Sequence, residues 1–526
     1  MSRVGYSSTQ KQLGKPLLEV GAEEGNLEEL EIAEKKKPFF SPADVRDWWV
    51  AEGWKTVIFL LWVAANMGLI AYAGYVYWDN PNYYVTVARM GGATLNLNCA
   101  LILVPVLRHS LTWLRKVRIL RDIIPFDSNI RFHKMIAYAI FFAGLVHGLA
   151  HYLNYNESGS PWTLGWSTLA GATGHVLSLV CIIIGTAAVD PVRRPNYNVF
   201  YVTHHTFIIF FALLLAHGPR FWYYFIGPGV LYFLERMYRE ISARKLRTRV
   251  VTVTNHPSDV VELQMKKKLF RYKPGQYLFL NCPYLSQWEW HPFTISSSPE
   301  EETVGVHIRC VGDWTKGLRD LIAPPQEGTQ ITLYRTHGPD NKKALLRIDG
   351  PYGAASEDIF DYKVVLLVGA GIGVTPFSSI LKTIYLRLKK FREGYSTKNP
   401  MKKLQKVYFY WVLREFKAFE WLRTMLIQVE SELVADGFAD SVEFNIHVTG
   451  KVKQDDEMGM QAGIKFGRPE WPTIFSNIRA AHNGTKVGCF FCGPKPLGHI
   501  LEDNCKEYSK DYATYGVRFT WNKENF

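Results

Sequence analysis

The sequence lacks several features that would assign it to common protein classes. Its seven cysteines are scattered and odd in number, which argues against a disulfide framework. The single CxxC pair, Cys489 and Cys492, has no second pair, so it is only weak support for a zinc site. No zinc finger or basic heptad array is present, and we therefore expect no nucleic-acid partner. A calcium-binding loop is also absent from the sequence. A secretory signal is also missing, and we expect residues 1–45 to form a polar cytosolic tail.

Charge and hydropathy indicate a chain of two different halves. The formal charge is +13, and apolar residues make up 48% of the chain. The mean hydropathy is nevertheless near zero, as expected for a membrane-spanning half joined to a polar half. Basic residues facing the cytosol, together with a phosphate-rich cofactor, explain the positive charge.

Six apolar segments are candidates for crossing a bilayer as helices, for which about 20 residues are needed. They cover residues 55–78, 86–107, 133–155, 174–189, 199–217 and 220–238. Lysine and arginine are concentrated between the second and third segments, between the fourth and fifth, and after the sixth. Because such loops stay in the cytosol, the sequence predicts a six-helix transmembrane bundle over residues 46–240 with both termini cytosolic.

The remaining residues predict two cytosolic domains. Short alternating strands with Gly and Pro turns occupy residues 247–360 and are typical of a small β-barrel. From residue 361 to 526 strands alternate with helices, which predicts a parallel α/β sheet covered on both faces. The expected fold is therefore multi-domain, with a ferredoxin-reductase-like module attached to the membrane bundle.

Histidines stand at two levels of the predicted bundle. The third segment carries His133 and His147, 14 residues apart, and the fifth carries His204 and His217, 13 residues apart. At 1.5 Å per residue each interval spans about 20 Å, so two helices offer one imidazole each at an inner and an outer level. Neutral imidazoles are axial ligands of haem iron, and the spacing predicts two b-type haems, one above the other.

Helical phase fits these two helices unequally. Fourteen residues at about 100° each return within roughly 40° of the same face, whereas thirteen miss it by about 140°. The fifth segment therefore requires a bulge, a bend or a different reach of its two rings, and His205 as an alternative ligand fits the phase no better. Hydrogen bonding within the bundle, or a proton path, is the competing explanation for single histidines, and we keep it for His175.

Motifs in the cytosolic half predict sites for a flavin and a nucleotide. The stretch "HPFTISS" from His291 offers an aromatic ring and small hydroxyls, and Arg309 is a cation suited to a pyrophosphate. The turn "GAGIGVTP", 369–376, follows a buried strand and opens a helix, so its backbone amides can bind a diphosphate. Arg414 ends the next strand, where it suits the 2′-phosphate of NADPH. Taken singly, each feature is also compatible with an ordinary turn or a surface charge.

Together the motifs resemble those of the NADPH oxidase family, the superoxide-generating flavocytochromes b. The resemblance runs from about residue 45 to the C-terminus. The matching segments, in order, are "ARMGGATLNLNC", "FHKMIAY", "VHGLAH", "THHTFIIFF", "HPFTISS", "HIRCVGDWT", "DGPYG", "GAGIGVTPF", "FEW", "GRPEW", "CGP" and "NKENF". Their number and order make chance agreement negligible.

The resemblance implies roles for residues in the membrane half. The implied ligands of the inner haem are His133 and His204, and those of the outer haem are His147 and His217. Among the two neighbouring histidines the resemblance therefore favours His204 over His205. Arg89 and His151 are similar to the polar pair where oxygen is reduced, and Phe210 is similar to the aromatic residue between the haems.

Further roles are implied in the cytosolic half. The implied FAD contacts are His291, Pro292, Phe293, Thr294, His307, Ile308, Arg309, Trp314, Thr315 and the terminal Phe526. The implied NADPH contacts are Gly371, Gly373, Thr375, Pro376, Arg414, Arg468, Cys492, Gly493 and Pro494. NADPH, FAD and two haems would then pass electrons from the cytosol to oxygen outside, in the plasma membrane or an endomembrane.

The sequence departs from the family pattern in places, and rival functions remain. The outer loop before the fourth segment is short, and the absence of a calcium loop favours activation by cytosolic partner proteins, with a possible small membrane subunit. A ferric or cupric metalloreductase of the same architecture is the nearest alternative. A proton channel that uses the same histidines is a rival of another class.

Overall fold

The computed structural model describes residues 42–157, 159, 161–245, 247–340, 344–397, 399–450, 464–510 and 516–524. Nearly all of the predicted tail, residues 1–45, lies outside this part of the chain, and so does Phe526.

The N-terminal half consists of long helices joined by short turns. In chain order they are α1 (Pro42–Val76), α2 (Tyr83–Leu101), α3 (Arg108–Arg115), α4 (Arg118–Ile123), α5 (Asn129–Glu157), α6 (Pro161–Ser167), α7 (Leu169–Ala188), α8 (Asp190–Arg193), α9 (Tyr197–His204), α10 (Phe207–His217) and α11 (Phe221–Lys245). Helices α2 and α5 pack closely because Gly91 leaves no side chain against His147: a Cβ there would lie 3.1 Å from the His147 Cβ. Large apolar side chains such as Phe142 and Leu61 point outward, as expected against lipid.

Five helical stretches of the described chain are long and apolar enough to cross a membrane. They are Glu52–Val76, Tyr83–Val106, Phe126–Glu157, Leu169–Ala188 and Tyr197–His217. The sixth predicted segment is present as the helix α11, but Glu235, Arg236 and Arg239 interrupt its apolar stretch. Five spans are therefore supported by length and composition, and the sixth stays a prediction.

The fifth predicted segment is not one continuous helix. It breaks at His205 and Thr206, between α9 and α10. Across the break Thr206 N donates to Thr203 O and Ile208 N donates to His205 O, at 3.1 and 3.2 Å. Such i→i−3 bonds wind the chain more tightly than an α-helix. Tighter winding rotates α10 in the direction that thirteen residues need to complete four turns, so the segment is irregular where expected, although neither proline nor glycine marks the break.

The next part of the chain forms two antiparallel sheets. Its strands are β1 (Thr248–His256), β2 (Val260–Lys267), β3 (Tyr277–Asn281), β4 (His291–Thr294), β5 (Val304–Arg309), β6 (Thr329–Arg335) and β7 (Arg347–Tyr352), with helix α12 (Asp313–Ile322) after β5. The strand orders are β5-β2-β1-β6 and β4-β3-β7. A bridge between Ile295 and Val306 joins the sheets around one apolar core. The predicted strands are present, and full closure into a barrel stays a prediction.

The C-terminal part is a parallel sheet with helices. Its elements are β8 (Val364–Ala370), α13 (Thr375–Arg392), β9 (Lys406–Leu413), α14 (Glu420–Ala435), β10 (Val442–Val448), β11 (Ile464–Phe466), α15 (Trp471–Ala481), β12 (Lys486–Cys492), α16 (Lys495–Glu507) and β13 (Arg518–Lys523). The strand order is β11-β10-β9-β8-β12-β13, and every pairing is parallel. The chain leaves β8 first toward β9 and later toward β12, so the order reverses at β8. Ligands of such sheets bind at the carboxyl end of the strands at this reversal.

Buried ion pairs join the membrane half to the cytosolic half. The guanidinium of Arg239, in α11, lies 2.7 Å from Asp349 in β7. Arg115, in α3, lies 2.6 Å from Asp127 and 2.7 Å from Asp358. The Arg239 guanidinium and neighbouring donors hold the pKa of Asp349 well below its usual range, although burial alone would raise it. These contacts fix the sheets beneath the helices.

Candidate functional site

The first histidine pair, called the proximal pair, consists of His133 in α5 and His204 at the end of α9. Their ring centres lie 6.3 Å apart. A metal held between two imidazole nitrogens at about 2 Å each leaves the ring centres roughly 6 Å apart, so the separation fits an ion between them. The Nδ1 of His133 is 3.0 Å from Ile102 O, which leaves its Nε2 for a ligand.

The second pair, called the distal pair, repeats this geometry with His147 in α5 and His217 at the end of α10. The ring centres are 6.1 Å apart. Each Nδ1 has a partner, Ala88 O at 2.7 Å from His147 and Thr173 Oγ1 at 3.0 Å from His217. Gly174 leaves room beside His217, since a Cβ there would lie 3.2 Å from the ring. Both pairs therefore fit a bis-imidazole metal centre.

The structure distinguishes His204 from its neighbour His205. His205 turns back on its own helix: its Nδ1 is 2.7 Å from Tyr201 O and its ring centre is 4.4 Å from that of Tyr201. The Nδ1 of His204 is buried and has no hydrogen-bond partner among the described residues. The ring that faces His133 is that of His204, in agreement with the residue favoured by resemblance.

The other predicted membrane residues lie around these pairs. His151 is one turn beyond His147, with ring centres 4.7 Å apart, and Arg89 follows the residue whose carbonyl binds His147. The Arg89 guanidinium lies 5.3 Å from the ring centre of Tyr77. Phe210 packs in an apolar cluster near the middle of α10. The distal pair thus has a cation and a further imidazole at its own level.

The predicted flavin residues form an aromatic group at the edge of the second sheet. His291 stacks on Trp314 with ring centres 4.2 Å apart, and Phe293 lies 6.2 Å from the same indole. Arg309 is exposed at the end of β5. The His307 ring instead bonds to Ser296, with Nδ1 2.8 Å from its hydroxyl oxygen. Through this bond His307, in β5, supports the chain that follows β4.

A cavity of about 230 Å³ lies between the membrane helices and this sheet. Its lining includes Pro105, Arg108, Tyr277, Phe279, Pro292 and Glu524. The Arg108 guanidinium lies 4.0 Å from the Phe279 ring centre, so a cation closes one wall. The cavity borders Pro292 of the predicted flavin motif and the end of β13, and it separates them from the turn that follows α2.

Glu524 is a residue of this cavity that sequence reasoning did not single out. Ser356 N donates to its carboxylate at 2.6 Å, and burial raises the pKa of Glu524 to about 7. The terminal motif "NKENF", which contains Glu524 as well as Phe526, is the signal in the sequence that marks it. A protonatable carboxyl therefore sits beside the predicted flavin position.

The nucleotide motifs meet at the strand reversal. Gly373 must be glycine because a Cβ there would lie 2.2 Å from Cys492 O. Gly371 has a φ of +56°, and its carbonyl accepts from Trp411 Nε1 at 3.0 Å. Burial raises the pKa of the Cys492 thiol, so it stays protonated. The glycine turn and the tip of β12 thus form one crevice.

Arg414 and Arg468 stand at the same edge of the sheet but farther out. Arg414 follows β9 and Arg468 follows β11, and both side chains are exposed. Gly450, just after β10, packs directly against the backbone of Arg414, since a Cβ on Gly450 would lie 2.0 Å from Arg414 O. The edge beyond the crevice therefore carries positive charge suited to a phosphate.

Three family models match consecutive parts of the chain. A ferric reductase like transmembrane component matches residues 91–215, an FAD-binding domain matches 245–356, and a ferric reductase NAD binding domain matches 362–506. These ranges contain three of the four paired histidines, the flavin motif and the glycine turn. Arg89, His217 and Glu524 fall outside them.

Three of the curated relatives that the chain matches align over almost their whole length. A superoxide-generating NADPH oxidase heavy chain of Dictyostelium discoideum is 40% identical, over 92% of this chain and 99% of its own. Mouse NADPH oxidase 1 is 32% identical, over 97% of this chain and 100% of its own, and human NADPH oxidase 3 is 32% identical, over 91% and 99%. The chain belongs to the NADPH oxidase family.

Membership of the NADPH oxidase family confirms the resemblance drawn from the motifs. It also accounts for the three parts of the chain, an integral membrane component followed by FAD-binding and NAD-binding domains. What sequence reasoning missed in this NADPH oxidase are the contacts between those parts, such as Arg239 with Asp349. These residues are 110 positions apart, and no local pattern pairs them.

Proposed function

We propose that this chain is a transmembrane NADPH oxidase that takes electrons from cytosolic NADPH and reduces oxygen to superoxide on the other side of the membrane. The observation that carries the proposal is the pair of imidazole couples, 6.3 and 6.1 Å between ring centres, stacked along α5 above the cavity that borders Pro292. Family membership supports the same direction of electron flow.

The four paired histidines would hold two haems. The bound cofactors would supply hydride acceptance from NADPH by FAD and single-electron transfer across the membrane by the haems. The carbonyls of Ile102 and Ala88 and the Thr173 hydroxyl hold three of the rings in a fixed orientation through their Nδ1 atoms. Phe210 fills space between the two levels.

With His147 and His217 both holding the outer haem, oxygen would be reduced beside the distal pair. Arg89 and His151 lie at that level and supply a positive charge and a second imidazole. A fixed cation stabilises the negative charge that develops on oxygen. We therefore assign to Arg89 the stabilisation of the superoxide anion and to His151 the positioning of oxygen.

The cytosolic residues bind and orient the two nucleotides. The FAD contacts are His291, Pro292, Phe293, Thr294, Ile308, Arg309, Trp314 and Thr315, with His307 holding the strand through Ser296. The NADPH contacts are Gly371, Gly373, Thr375, Pro376, Arg414, Arg468, Cys492, Gly493 and Pro494. The close approach of Gly373 to Cys492 O supports one shared site for hydride transfer. Phe526 as a cover of the flavin ring stays a prediction, since it lies outside the described residues.

We also propose an arrangement of the chain in the membrane. α11 forms a sixth span, both termini are cytosolic, and the three domains cover residues 46–240, 247–360 and 361–526. The basic residues of α3, α4 and α11 support this orientation. The proposed partners are cytosolic activators and a small membrane subunit, in the plasma membrane or an endomembrane.

The decisive experiment replaces a distal ligand, His147→Leu, in the full chain with its cofactors. We expect loss of about half of the b-haem absorbance and of superoxide production, while NADPH still reduces the flavin. His175→Leu is the matched control, because this histidine stacks on Trp166 and bonds to Gly171 O within its own helix. Superoxide production that survives in His147→Leu would contradict the relay.

A metalloreductase is the second candidate, because two of the matching family models carry the name of ferric reductase. The two functions differ in the acceptor. Superoxide dismutase should abolish the reporter signal of an oxidase and leave direct reduction of a ferric or cupric chelate unchanged. A dismutase-insensitive signal would favour the metalloreductase.

A further inference from the structure

Three polar side chains of the antiparallel sheet form a cluster apart from the proposed electron path. They are His256 at the end of β1, Glu262 in β2 and His307 in β5. Glu262 pairs directly with His307 in the β2–β5 register. One ligand atom from each residue lies within 4.8 Å of the other two, so three neighbouring strands bring their donors to one point.

The donor atoms face one another closely. Glu262 Oε2 is 3.0 Å from His256 Nε2 and 3.8 Å from His307 Nε2. The two imidazoles are nearly parallel, with an angle of 18° and ring centres 5.7 Å apart. Ligand atoms around a tetrahedral zinc ion, bound at about 2.0–2.2 Å, lie roughly 3.4 Å apart, between the two separations of 3.0 and 3.8 Å seen here.

Two further polar atoms of the cluster, one on Glu262 and one on His307, already have partners outside it. Gln264 Nε2 donates to Glu262 Oε1 at 2.6 Å, and Ser296 Oγ lies 2.8 Å from His307 Nδ1. Glu262 Oε2 and His307 Nε2 are therefore turned inward. Outer partners of this kind orient the ligands of metal sites.

His307 gives an independent indication of a missing ligand. The residue is only 5% exposed, and its Nε2 is buried with no hydrogen-bond partner in the described part of the chain. When Nδ1 donates to Ser296, the Nε2 lone pair faces the Glu262 carboxylate at 3.8 Å, and a cation between them satisfies both.

A hydrogen-bonded cluster without a metal is the simpler alternative, and it accounts for only part of the geometry. It explains the 3.0 Å contact between His256 and Glu262. It leaves His307 Nε2, at 3.8 Å, too far from the carboxylate for a hydrogen bond. The Lys382 ammonium, which also acts on Glu262, lies 3.7 Å from Glu301 and so has another anion as partner.

We propose that His256, Glu262 and His307 bind a divalent transition-metal ion of the zinc class. Two imidazoles and one carboxylate are a zinc donor set with a fourth position for water. Solvent reaches the site past His256 and Glu262, whose side chains are 14% and 18% exposed. The ion ties β1, β2 and β5 together.

The site adjoins the joint between the two cytosolic domains. Ser296, which holds His307, also accepts a hydrogen bond from Ser378 Oγ of α13 through its carbonyl, at 3.3 Å. A ligand bound only by the folded state raises its stability. Zinc should therefore raise the unfolding midpoint of the cytosolic half, independently of any electron transfer.

The test uses the full chain, purified in detergent with haem and FAD and equilibrated with zinc. Metal bound per polypeptide is measured by elemental mass spectrometry after removal of loosely held ions. We expect His256→Ala and Glu262→Gln each to bind one zinc ion fewer than the unchanged chain. His499→Ala, which removes an exposed histidine of the nucleotide domain, should bind as many as the unchanged chain.

X-ray absorption at the zinc edge identifies the ligands. Two imidazoles with oxygen, and no sulfur, are expected, and this signal should vanish in His256→Ala. Equal zinc in the unchanged chain and in His256→Ala would overturn the proposal, as would thiolate ligation. If Glu262→Gln loses its FAD and fails to fold, His256→Ala decides alone, because His256 lies at the end of its strand.

Discussion

At the residue scale, the second nitrogen of each membrane histidine decides how firmly the ring is held. His217 is held by a side chain, Thr173 Oγ1 at 3.0 Å, together with the backbone of Ala170, whereas His133 and His147 are held by backbone carbonyls alone, which no substitution removes. Thr173 is therefore the point where the support of a single ligand can be changed without touching the ligand.

Thr173→Val keeps the side-chain shape and deletes that bond. Loss of such an outer partner weakens metal binding by roughly 10–100-fold, so we expect partial loss of the distal haem with the proximal haem retained. Haem per polypeptide and the reduced-minus-oxidised spectrum measure this. Ser178→Ala is the control, because among the described residues Ser178 bonds only to Gly174 O of its own helix. Full haem content in Thr173→Val would show that the hydroxyl does not support His217.

The Glu524 carboxyl predicts a pH dependence of stability. Burial raises its pKa from 4.5 to about 7, so the folded chain holds this proton more tightly than the unfolded chain. The stabilisation of the folded chain by this carboxyl is complete below pH 4.5 and is lost as the pH rises through about 7. Glu524→Gln mimics the protonated form and should reduce the decrease in the free energy of unfolding with pH. For one proton this decrease is at most about 1.4 kcal/mol per pH unit.

Thermal unfolding of the FAD-containing chain at about pH 5.5 and about pH 7.5 measures this difference. The unchanged chain should lose more stability between the two values than Glu524→Gln does. Glu302→Gln serves as the control because Glu302 is exposed and pairs only with Lys266 on the surface. Parallel curves for the unchanged chain and Glu524→Gln would contradict the assignment.

At the element scale, the break in the fifth segment reconciles two spacings that disagree on an ideal helix. α5 places His133 and His147 on one face with 14 residues, and the broken α9–α10 pair does the same with 13. An alanine inserted between Thr206 and Phe207 makes the spacing 14 but rotates α10 by about 100°.

We therefore expect the insertion to displace His217 and remove the distal haem while the proximal haem remains. The control is an alanine inserted between Arg194 and Pro195, before α9, which leaves the distance between the two histidines unchanged. Haem content by spectroscopy is the readout. If the insertion after Thr206 kept both haems, the break would not be what aligns the ligands.

The elements that sequence could predict are those with local signals. The buried run before Gly369 and the glycine turn locate β8 and the crevice, and the alternating strands locate both sheets. The position of the break could not be predicted, because His205 and Thr206 carry no helix-breaking preference as strong as that of proline or glycine. Glu524 and Ser356 could not be paired either, since 168 positions separate them.

At the scale of the whole molecule, buried ion pairs hold the electron-donating half against the membrane half. The Arg239 and Asp349 side chains are 11% and 4% exposed. Removing one partner of a buried pair leaves the other charge uncompensated, at a cost of about 3–5 kcal/mol. Arg239→Met should loosen the docking of the sheets beneath the helices.

In Arg239→Met we expect NADPH to reduce the flavin at a near-normal rate and the haems to be reduced much more slowly. Stopped-flow absorbance follows both steps in one experiment. Lys266→Met removes a surface cation paired with the exposed Glu302 and should leave both rates unchanged. Equal slowing of both steps in Arg239→Met would indicate general unfolding rather than separation of the halves.

The break at His205 and Thr206 also separates the helix that contacts the cytosolic half from the helix that carries His217. α9, which ends at His204, touches the cytosolic half directly: Tyr201 Oη donates to Trp288 O, and the Tyr197 ring centre is 6.4 Å from that of His291. A displacement of the flavin sheet would therefore act first on α9 and on His204 at its end, whereas His217 lies beyond the break, in α10.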